Sequence, residues 1–173
     1  MLHHNSLSEQ HQNQFSFVFS TLKIGQLLRR AGIRKTYGIS TFAVFQIIFQ
    51  LVFQGRNLFR MLESKRGETL PGKDVVYRFL NETCYNWRRF YQSLSFKVVS
   101  HFESLTSAHR ISVFIIDDLV MSRKRSKKVE LLAKIYDHVS GRFIRGYNLL
   151  TLGWSDGYSF APIDFTLMNN ELR

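Results

Sequence analysis

The spacing of apolar residues divides the chain into a helical first part and a strand-like second part. From Phe15 to about Arg30, apolar residues recur every three or four positions, which predicts a helix that stops at Gly32. Ser40 is a suitable N-cap for a second helix that extends to Phe53. That helix is apolar on nearly every side, so we expect it to be the central buried element of a helical domain.

A short amphipathic piece over Asn57 to Leu62 and two further helices are predicted before the pattern changes. Asp74 is a candidate cap for the first of these two helices, over residues 75–80, and Asn86 for the second, from Trp87 to about Phe102. Their basic and aromatic residues are interleaved, which suits contact with DNA but equally an ordinary helical subdomain with solvated arginines. The candidate DNA-binding residues of this region are Lys73, Arg78, Arg88 and Arg89.

Residues 104–109 have the composition of a linker, and the pattern beyond them is that of strands. A run of apolar, β-branched residues from Ile111 to Ile116 predicts a strand buried on both faces. Residues 129–136 fit either a strand or a short helix. A turn is predicted over 137–141, a strand over 142–154, a tight hairpin turn over 155–157 and a returning strand over 158–168. Pro162 indicates that the last strand lies at an edge or contains a bulge.

The apolar run ends at two adjacent carboxylates, Asp117 and Asp118. Five cations follow within six positions, and all are candidate DNA-binding residues: Arg123, Lys124, Arg125, Lys127 and Lys128. A carboxylate at the end of a buried strand needs a cation or a metal as its partner. A carboxylate for a divalent metal beside cations for a phosphate backbone is the layout of an enzyme that cuts nucleic acid. The alternative is a structural acid pair neutralised by the nearby lysines and arginines.

The overall charge favours a polyanionic partner. Lys and Arg outnumber Asp and Glu by 24 to 13, and the net charge of +11 suits nucleic acid or an anionic membrane surface. The most apolar run, Phe42 to Phe53, is too short to cross a bilayer. The single cysteine, Cys84, excludes an intrachain disulfide framework and fits a reducing cytoplasm. Residues 1–14 are polar and are expected to form a disordered lead-in.

Three separated segments agree in order and spacing with one known family. They are GKDVVYRFLNETCYNWRRF at 72–90, VFIIDDLVMSRKRSKKVELLAKIYDH at 113–138 and RGYNLLTLGWSDGYSFAPIDFTL at 145–167. These segments resemble DDE-type insertion-sequence transposases of the insertion-sequence-four superfamily. The resemblance implies an α+β fold with a helical, DNA-binding domain over 15–103. It also implies that 110–173 are the first three antiparallel strands of an RNase-H-like catalytic domain, truncated after the third strand.

The resemblance assigns roles to the acid pair. In such transposases the first strand carries a catalytic Asp, then any residue, then Thr. On that pattern Asp117 is the catalytic and metal-binding acid, Asp118 takes the variable position and Leu119 stands where Thr is usual. Asp118 is the second candidate, and alternation along a strand lets only one of the two enter the metal site. The family's other Asp and its Glu have no counterpart here, since Asp156 suits a turn and Asp164 a solvent-facing strand position.

The resemblance also implies the chemistry and the partners. The intact family holds two Mg²⁺ or Mn²⁺ ions in three carboxylates and uses them for phosphodiester hydrolysis and strand transfer. The implied protein is a bacterial DDE transposase, cytoplasmic and nucleoid-associated, which binds double-stranded transposon ends as a homodimer in a synaptic complex and contacts no membrane. A truncated copy is expected to be inactive alone. Two other functions stay open: a non-catalytic DNA-binding inhibitor of a full-length relative, and a metal nuclease of another fold that uses Asp117, Asp118, Asp156 and Asp164 together.

Overall fold

The computed structural model describes residues 14–53, 55, 57–63, 70–106, 110–126 and 129–168. Within them helices come first and an antiparallel sheet follows, which confirms the α+β class. The chain forms two compact units, here called the helical unit, Met1–Leu94, and the sheet unit, Ser95–Arg173. The secondary structure changes between Leu105 and Val113, where the sequence pattern changes, whereas the border between the compact units lies earlier, inside a helix. The predicted lead-in, apart from its last residue, lies outside the described residues.

The part of the chain that the structure describes contains six helices. Their bounds are residues 14–21 for α1, Ile24–Arg30 for α2, Thr41–Phe53 for α3, Leu58–Glu63 for α4, Lys73–Asn81 for α5 and Trp87–Leu105 for α6.

The single helix predicted over residues 15–30 is two helices, α1 and α2. Lys23 separates them with a left-handed backbone, φ 53°, and its N–H donates to the carbonyl of Ser20 at 3.0 Å. The predicted stop at Gly32 is confirmed, because Gly32 has φ 75° and the N–H of Ile33 donates to the carbonyl of Leu28 at 2.9 Å. This is the glycine-terminated helix end in which an apolar residue after the glycine packs back, and Ile33 is fully buried.

Local capping signals fix the starts of two later helices. The side-chain oxygens of Ser40 and Asn86 accept the backbone N–H three residues on, at 3.2 and 2.8 Å, as predicted for α3 and α6. The predicted cap at Asp74 is wrong. Helix α5 begins at Lys73 with Gly72 at the N-cap, so Asp74 lies in the first turn, where a negative charge suits the helix dipole.

The core of the helical unit lies between α1, α2, α3, α5 and the start of α6. Its buried residues are Phe19, Ile24, Leu27, Leu28, Ala31, Ile33, Val44, Val76, Phe79 and Phe90. The prediction that α3 is a central buried helix holds for residues 41–51, which are all buried or half-buried. It fails at the end of the helix, where Val52 and Phe53 are 74% and 62% exposed.

The sheet unit contains four antiparallel strands in its described residues. They are β1 Val113–Ser122, β2 Ala133–Asp137, β3 Arg142–Ser155 and β4 Phe160–Met168. Strands β1, β2 and β4 each pair with β3. Since residues 148–155 of β3 pair with both β1 and β4, and a strand has two edges, β1 and β4 lie on opposite sides of β3. The prediction of three strands missed β2, which forms where the pattern fitted a strand or a helix.

Strand β1 differs from the predicted buried strand. It continues to Ser122, because pairing with β3 extends through Ser122 and Gly146. Nine of its ten residues are exposed. Among the described strands β1 pairs with β3 alone, so it is an edge strand, and the apolar composition that suggested burial on both faces misled.

The C-terminal part of α6 packs on the sheet within the sheet unit. The hydroxyl of Ser95 donates to the carbonyl of Pro162 at 2.7 Å, and the rings of Phe102 and Trp154 stack with centroids 6.4 Å apart. Pro162 lies at a register shift of β4 against β3, which confirms the predicted bulge. None of the described helices is long and apolar enough to cross a membrane.

Candidate catalytic strand and nucleic-acid interface

The two predicted catalytic acids lie in the middle of β1. Asp117 pairs with Thr151 of β3 and Asp118 pairs with Leu150, so the two carboxylates are on opposite faces of the sheet, as the alternation predicts. Both side chains are exposed, and the prediction that they end a buried strand is wrong. The Thr151 hydroxyl donates to the backbone carbonyl of Asp117 at 3.1 Å, which holds the strand pair together at this point.

The face that carries Asp118 also carries an unsatisfied buried oxygen. Asn148 lies on β3 two positions from Leu150, the partner of Asp118, and its Oδ1 is buried without a hydrogen-bond partner. Diagonal neighbours on adjacent strands are about 7–8 Å apart. Carboxylate and amide oxygens are ligands that Mg²⁺ and Mn²⁺ accept.

Asp156 belongs to a turn and not to a site with Asp117. Its carboxylate accepts hydrogen bonds from Arg110 Nη1 at 2.8 Å and from the backbone N–H groups of Tyr158 and Ser159 at 3.0 and 2.6 Å. The Arg110 guanidinium, followed by the Ser159 N–H, lowers the pKa of Asp156 to about 2. Asp156 comes five residues after Thr151, the partner of Asp117, so it lies about 17 Å from Asp117 along the strand direction.

Asp164 does not join the acid pair either. It lies on β4 opposite Leu152, two strands from β1 and therefore about 10 Å away across the sheet. Its Oδ1 accepts the N–H of Phe165 at 2.8 Å. In the described ranges no three His, Cys, Asp or Glu side chains converge on a point that could hold a metal. The residues present thus fit single metal ligands on each face of β1, but not a complete two-metal site.

A cationic loop follows β1 and is tied to β3. Arg123, Lys124 and Arg125 are all exposed. The N–H of Arg123 donates to the carbonyl of Arg145 at 2.8 Å, and the Arg145 guanidinium donates to the carbonyl of Ser126 at 3.4 Å. Lys127 and Lys128, the other two predicted cations, lie outside the described residues.

The predicted DNA-binding residues of the helical unit lie on α5 and α6. Lys73, Arg78, Arg88 and Arg89 are exposed. Arg78 also donates from Nε to the carbonyl of Asp74 at 3.2 Å, and the Lys73 ammonium lies 5.8 Å from the ring centre of Tyr77. Solvated cations of this kind suit phosphate contacts, which need charge and reach more than fixed geometry.

A cleft of about 650 Å³ beside α5 was not anticipated from the sequence. Arg34, Lys35 and Arg78 line it together with Tyr85 and Glu82. Burial, and then the Glu82 carboxylate, raise the pKa of Tyr85, whose hydroxyl donates to the carbonyl of Arg34 at 3.3 Å.

Sequence reasoning also missed a group of cations and rings on the β2–β3 hairpin. Lys134 pairs with Arg145, and Tyr136 with Phe143, and all four side chains are exposed. The signal was present as two alternating patterns, Lys-x-Tyr and Phe-x-Arg. It was hidden because residues 129–136 fitted a helix as well as a strand.

Acids on a strand beside a cationic loop are features that metal-dependent enzymes acting on nucleic acid need. Residues 51–172 match the family of DDE superfamily endonucleases, and the chain belongs to that family. The match spans the acid pair, the cationic loop, α5, α6 and the whole described sheet. Membership implies a DNA substrate and divalent-metal chemistry. No match was found among curated proteins or among solved structures.

Proposed function

We propose that this chain belongs to a DDE-type transposase of the insertion-sequence-four superfamily. The observation that carries the proposal is the exposed acid pair in the middle of β1, followed by a cationic loop, inside the segment that matches the endonuclease family. The antiparallel order of β1, β3 and β4 supports an RNase-H-like catalytic domain over 110–173. The helical region over 15–103 then serves to bind DNA.

Asp117 is the proposed metal-binding catalytic acid, with Asp118 as the alternative. The family pattern favours Asp117, whereas the buried, unpartnered oxygen of Asn148 lies on the face of Asp118. When bound, Mg²⁺ or Mn²⁺ would polarise a phosphodiester and activate the attacking hydroxyl. The proposed substrate is duplex DNA at transposon ends, bound by a homodimer in a synaptic complex near the nucleoid in the cytoplasm.

We propose that the 173-residue polypeptide does not cut DNA by itself. A two-metal site needs several carboxylates around ions that lie about 3.5–4 Å apart. Asp117, Asp118, Asp156 and Asp164 point to different faces or lie on separate strands, which argues against a nuclease that uses the four together. Salt-sensitive DNA binding without any metal effect would instead favour the non-catalytic inhibitor.

The test combines metal binding with plasmid nicking. Mn²⁺ broadens NMR signals of nearby amides, so we expect broadening centred on Asp117 that is lost in Asp117→Asn and kept in Asp118→Asn. The matched control is Glu103→Gln, an exposed acid on α6 in the same unit. Supercoiled plasmid with Mg²⁺ or Mn²⁺ is expected to stay intact.

Three results would change the proposal. Broadening lost in Asp118→Asn alone would move the metal site to the Asn148 face. No broadening in the wild-type chain would remove the metal role from β1. Metal-dependent nicking that Asp117→Asn abolishes would contradict inactivity of the chain and establish a complete site.

A further inference from the structure

The outer face of the β2–β3 hairpin combines cations with exposed rings. Because directly paired residues of antiparallel strands share a face, Lys134 and Arg145 lie on the same side as Tyr136 and Phe143. Ile135, on the other side, is buried. These four residues, together with Arg123, Lys124 and Arg125 of the loop tied to Arg145, are here called the hairpin face.

Contacts within the hairpin face hold the rings in place. The rings of Tyr136 and Phe143 meet edge to face with centroids 5.2 Å apart, and the Lys134 ammonium lies 5.1 Å from the Phe143 ring centre. Phe143 is nevertheless 63% exposed and Tyr136 is 42% exposed. Both side chains are therefore open to solvent and within reach of a ligand, and the His138 ring meets Tyr136 edge to face with centroids 5.0 Å apart.

The charges next to the rings are positive. Arg145 connects the hairpin to the loop, since its carbonyl accepts from the Arg123 N–H and its guanidinium donates to the Ser126 carbonyl. The nearest hairpin acid, Asp137, is on the opposite face, and its carboxylate accepts from the Val139 N–H and the Ser140 hydroxyl in the turn. Glu130 is an exposed acid in the segment that leads into β2.

Rings and cations on one exposed face suit a ligand with flat bases and a phosphate backbone. A base inside a duplex is stacked on its neighbours and presents only its edge, so a protein ring reaches its flat face only by unstacking the duplex, whereas an unpaired base offers that face directly. Cations alone would fit duplex and single strands equally. The two exposed rings therefore favour an unpaired strand.

We propose that the hairpin face binds unpaired DNA, with bases stacked on Tyr136 and Phe143 and phosphates held by Lys134, Arg145 and the loop cations. This inference rests on the proposed function for its choice of DNA. Phe143 and Thr151 are an even number of positions apart on β3, so their side chains lie on the same face, and Thr151 pairs with Asp117. The hairpin face and Asp117 therefore share one face of the sheet. Phe143 lies eight residues, about 27 Å, along β3 from Thr151, and an unpaired strand held at the hairpin leads toward the proposed catalytic acid.

The experiment measures fluorescence anisotropy of a labelled 20-nucleotide oligo(dT) and of a mixed-sequence duplex of equal length, with the full chain. Phe143→Ile and Tyr136→Ile each remove a ring but keep an apolar, strand-favouring side chain. We expect each variant to bind oligo(dT) roughly 5- to 100-fold more weakly and the duplex within about 2-fold of wild type. The control is Phe114→Ile, which removes an exposed ring from β1 on the opposite face of the sheet and is expected to change neither affinity.

A second measurement uses the wild-type chain and does not depend on the folding of the variants. Oligonucleotides that carry 5-iodouracil crosslink to aromatic side chains on irradiation, and the modified peptides are mapped by mass spectrometry. We expect crosslinks at Tyr136 or Phe143. Crosslinks only elsewhere, or equal loss of duplex and oligo(dT) binding in the ring variants, would overturn the proposal.

Further outcomes separate this inference from the proposed function. Tighter binding of oligo(U) than of oligo(dT) would overturn it in favour of an RNA surface. Ring-dependent oligo(dT) binding together with absent Mn²⁺ broadening would uphold the hairpin face while removing the metal role of Asp117. No binding of either DNA at low salt would end both proposals.

Discussion

Asp156 and Asp117 are the same residue type in opposite surroundings. The side chain of Asp156 is 2% exposed and pairs with Arg110, which ties the segment before β1 to the turn between β3 and β4. The Arg110 guanidinium also lies 4.4 Å from the ring centre of Tyr158. Asp156 therefore supports the fold, whereas the exposed carboxylate of Asp117 on β1 is the one that we propose for the metal.

The Asp156–Arg110 pair predicts how stability depends on pH. The pKa of Asp156 is about 2 in the folded chain against an ordinary value of 3.8, so the ionised form is favoured by folding. This contribution is fully present above pH 4 to 5 and is lost as the pH falls through about 2. We expect Asp156→Asn to lower the free energy of unfolding at pH 7, and the deficit to shrink between pH 4 and pH 2, as measured by urea unfolding.

The amide oxygen of Asp156→Asn can still accept the backbone N–H groups, so the variant loses the charge together with the hydrogen bond from Arg110. Glu103→Gln serves as the control, because it removes an exposed acid from the same unit. A deficit of equal size at pH 7 and pH 2 would show that the variant fails for a reason other than the ion pair.

The sequence predicted only part of this arrangement. The Ser-Asp-Gly pattern at 155–157 is a local signal, and the structure confirms Asp156 as the turn former. Its partner, Arg110, is 46 positions away in the chain, and no local pattern links the two. The same limit applied to Asn148, whose buried oxygen depends on strands that meet only in the fold.

Gly146 is the residue of β3 at which the pairing with β1 and the pairing with β2 overlap. It pairs with Ser122 of β1 and with Ala133 of β2. A Cβ at this position would collide with the backbone carbonyl of Met121, which cannot move aside without breaking the pairing. We expect Gly146→Ala to lower the free energy of unfolding of the sheet unit by about 1–3 kcal/mol, the usual cost of overpacking.

The two tryptophans allow this effect to be measured in one unit at a time. Trp87 lies in the helical unit and Trp154 in the sheet unit, so a Trp87→Phe background reports the sheet through Trp154 fluorescence. Gly25→Ala is the contrasting variant. Its added methyl would lie 3.6 Å from the Phe42 ring, an ordinary contact, and alanine favours the helix. Equal stability of Gly146→Ala and its parent would refute the collision.

The starts of α3 and α6 and the end of α2 were predictable, because their signals lie within four residues of each other, whereas the cap predicted at Asp74 was wrong. Ser40 and Asn86 cap α3 and α6, and Gly32 ends α2, as the sequence indicated. The break at Lys23 was not predictable, since lysine rarely adopts a left-handed backbone. The extent of β1 was missed because pairing with β3, and not the apolar run, determines where that strand ends.

Positive charge lies on both units, and the predicted DNA contacts fall into two groups. One group is Lys73, Arg78, Arg88 and Arg89 on α5 and α6, and the other is the loop after β1. A net charge of +11 draws the whole chain to DNA but does not decide which group holds the duplex. Salt dependence does decide it, because each phosphate that the protein neutralises releases counterions.

We expect duplex affinity to fall as salt rises, with a slope that reports the number of phosphates bound. Replacing Arg123, Lys124 and Arg125 by Gln should reduce the slope of log K against log salt by about 0.9 for each phosphate that is no longer neutralised. Replacing the four cations of α5 and α6 should act in the same way if the helical unit also holds the duplex. Arg60→Gln, an exposed cation on α4 outside both groups, is the control and should leave the slope unchanged. An unchanged slope in the loop variant would confine duplex binding to the helical unit, and the loop after β1 would then serve the unpaired strand alone.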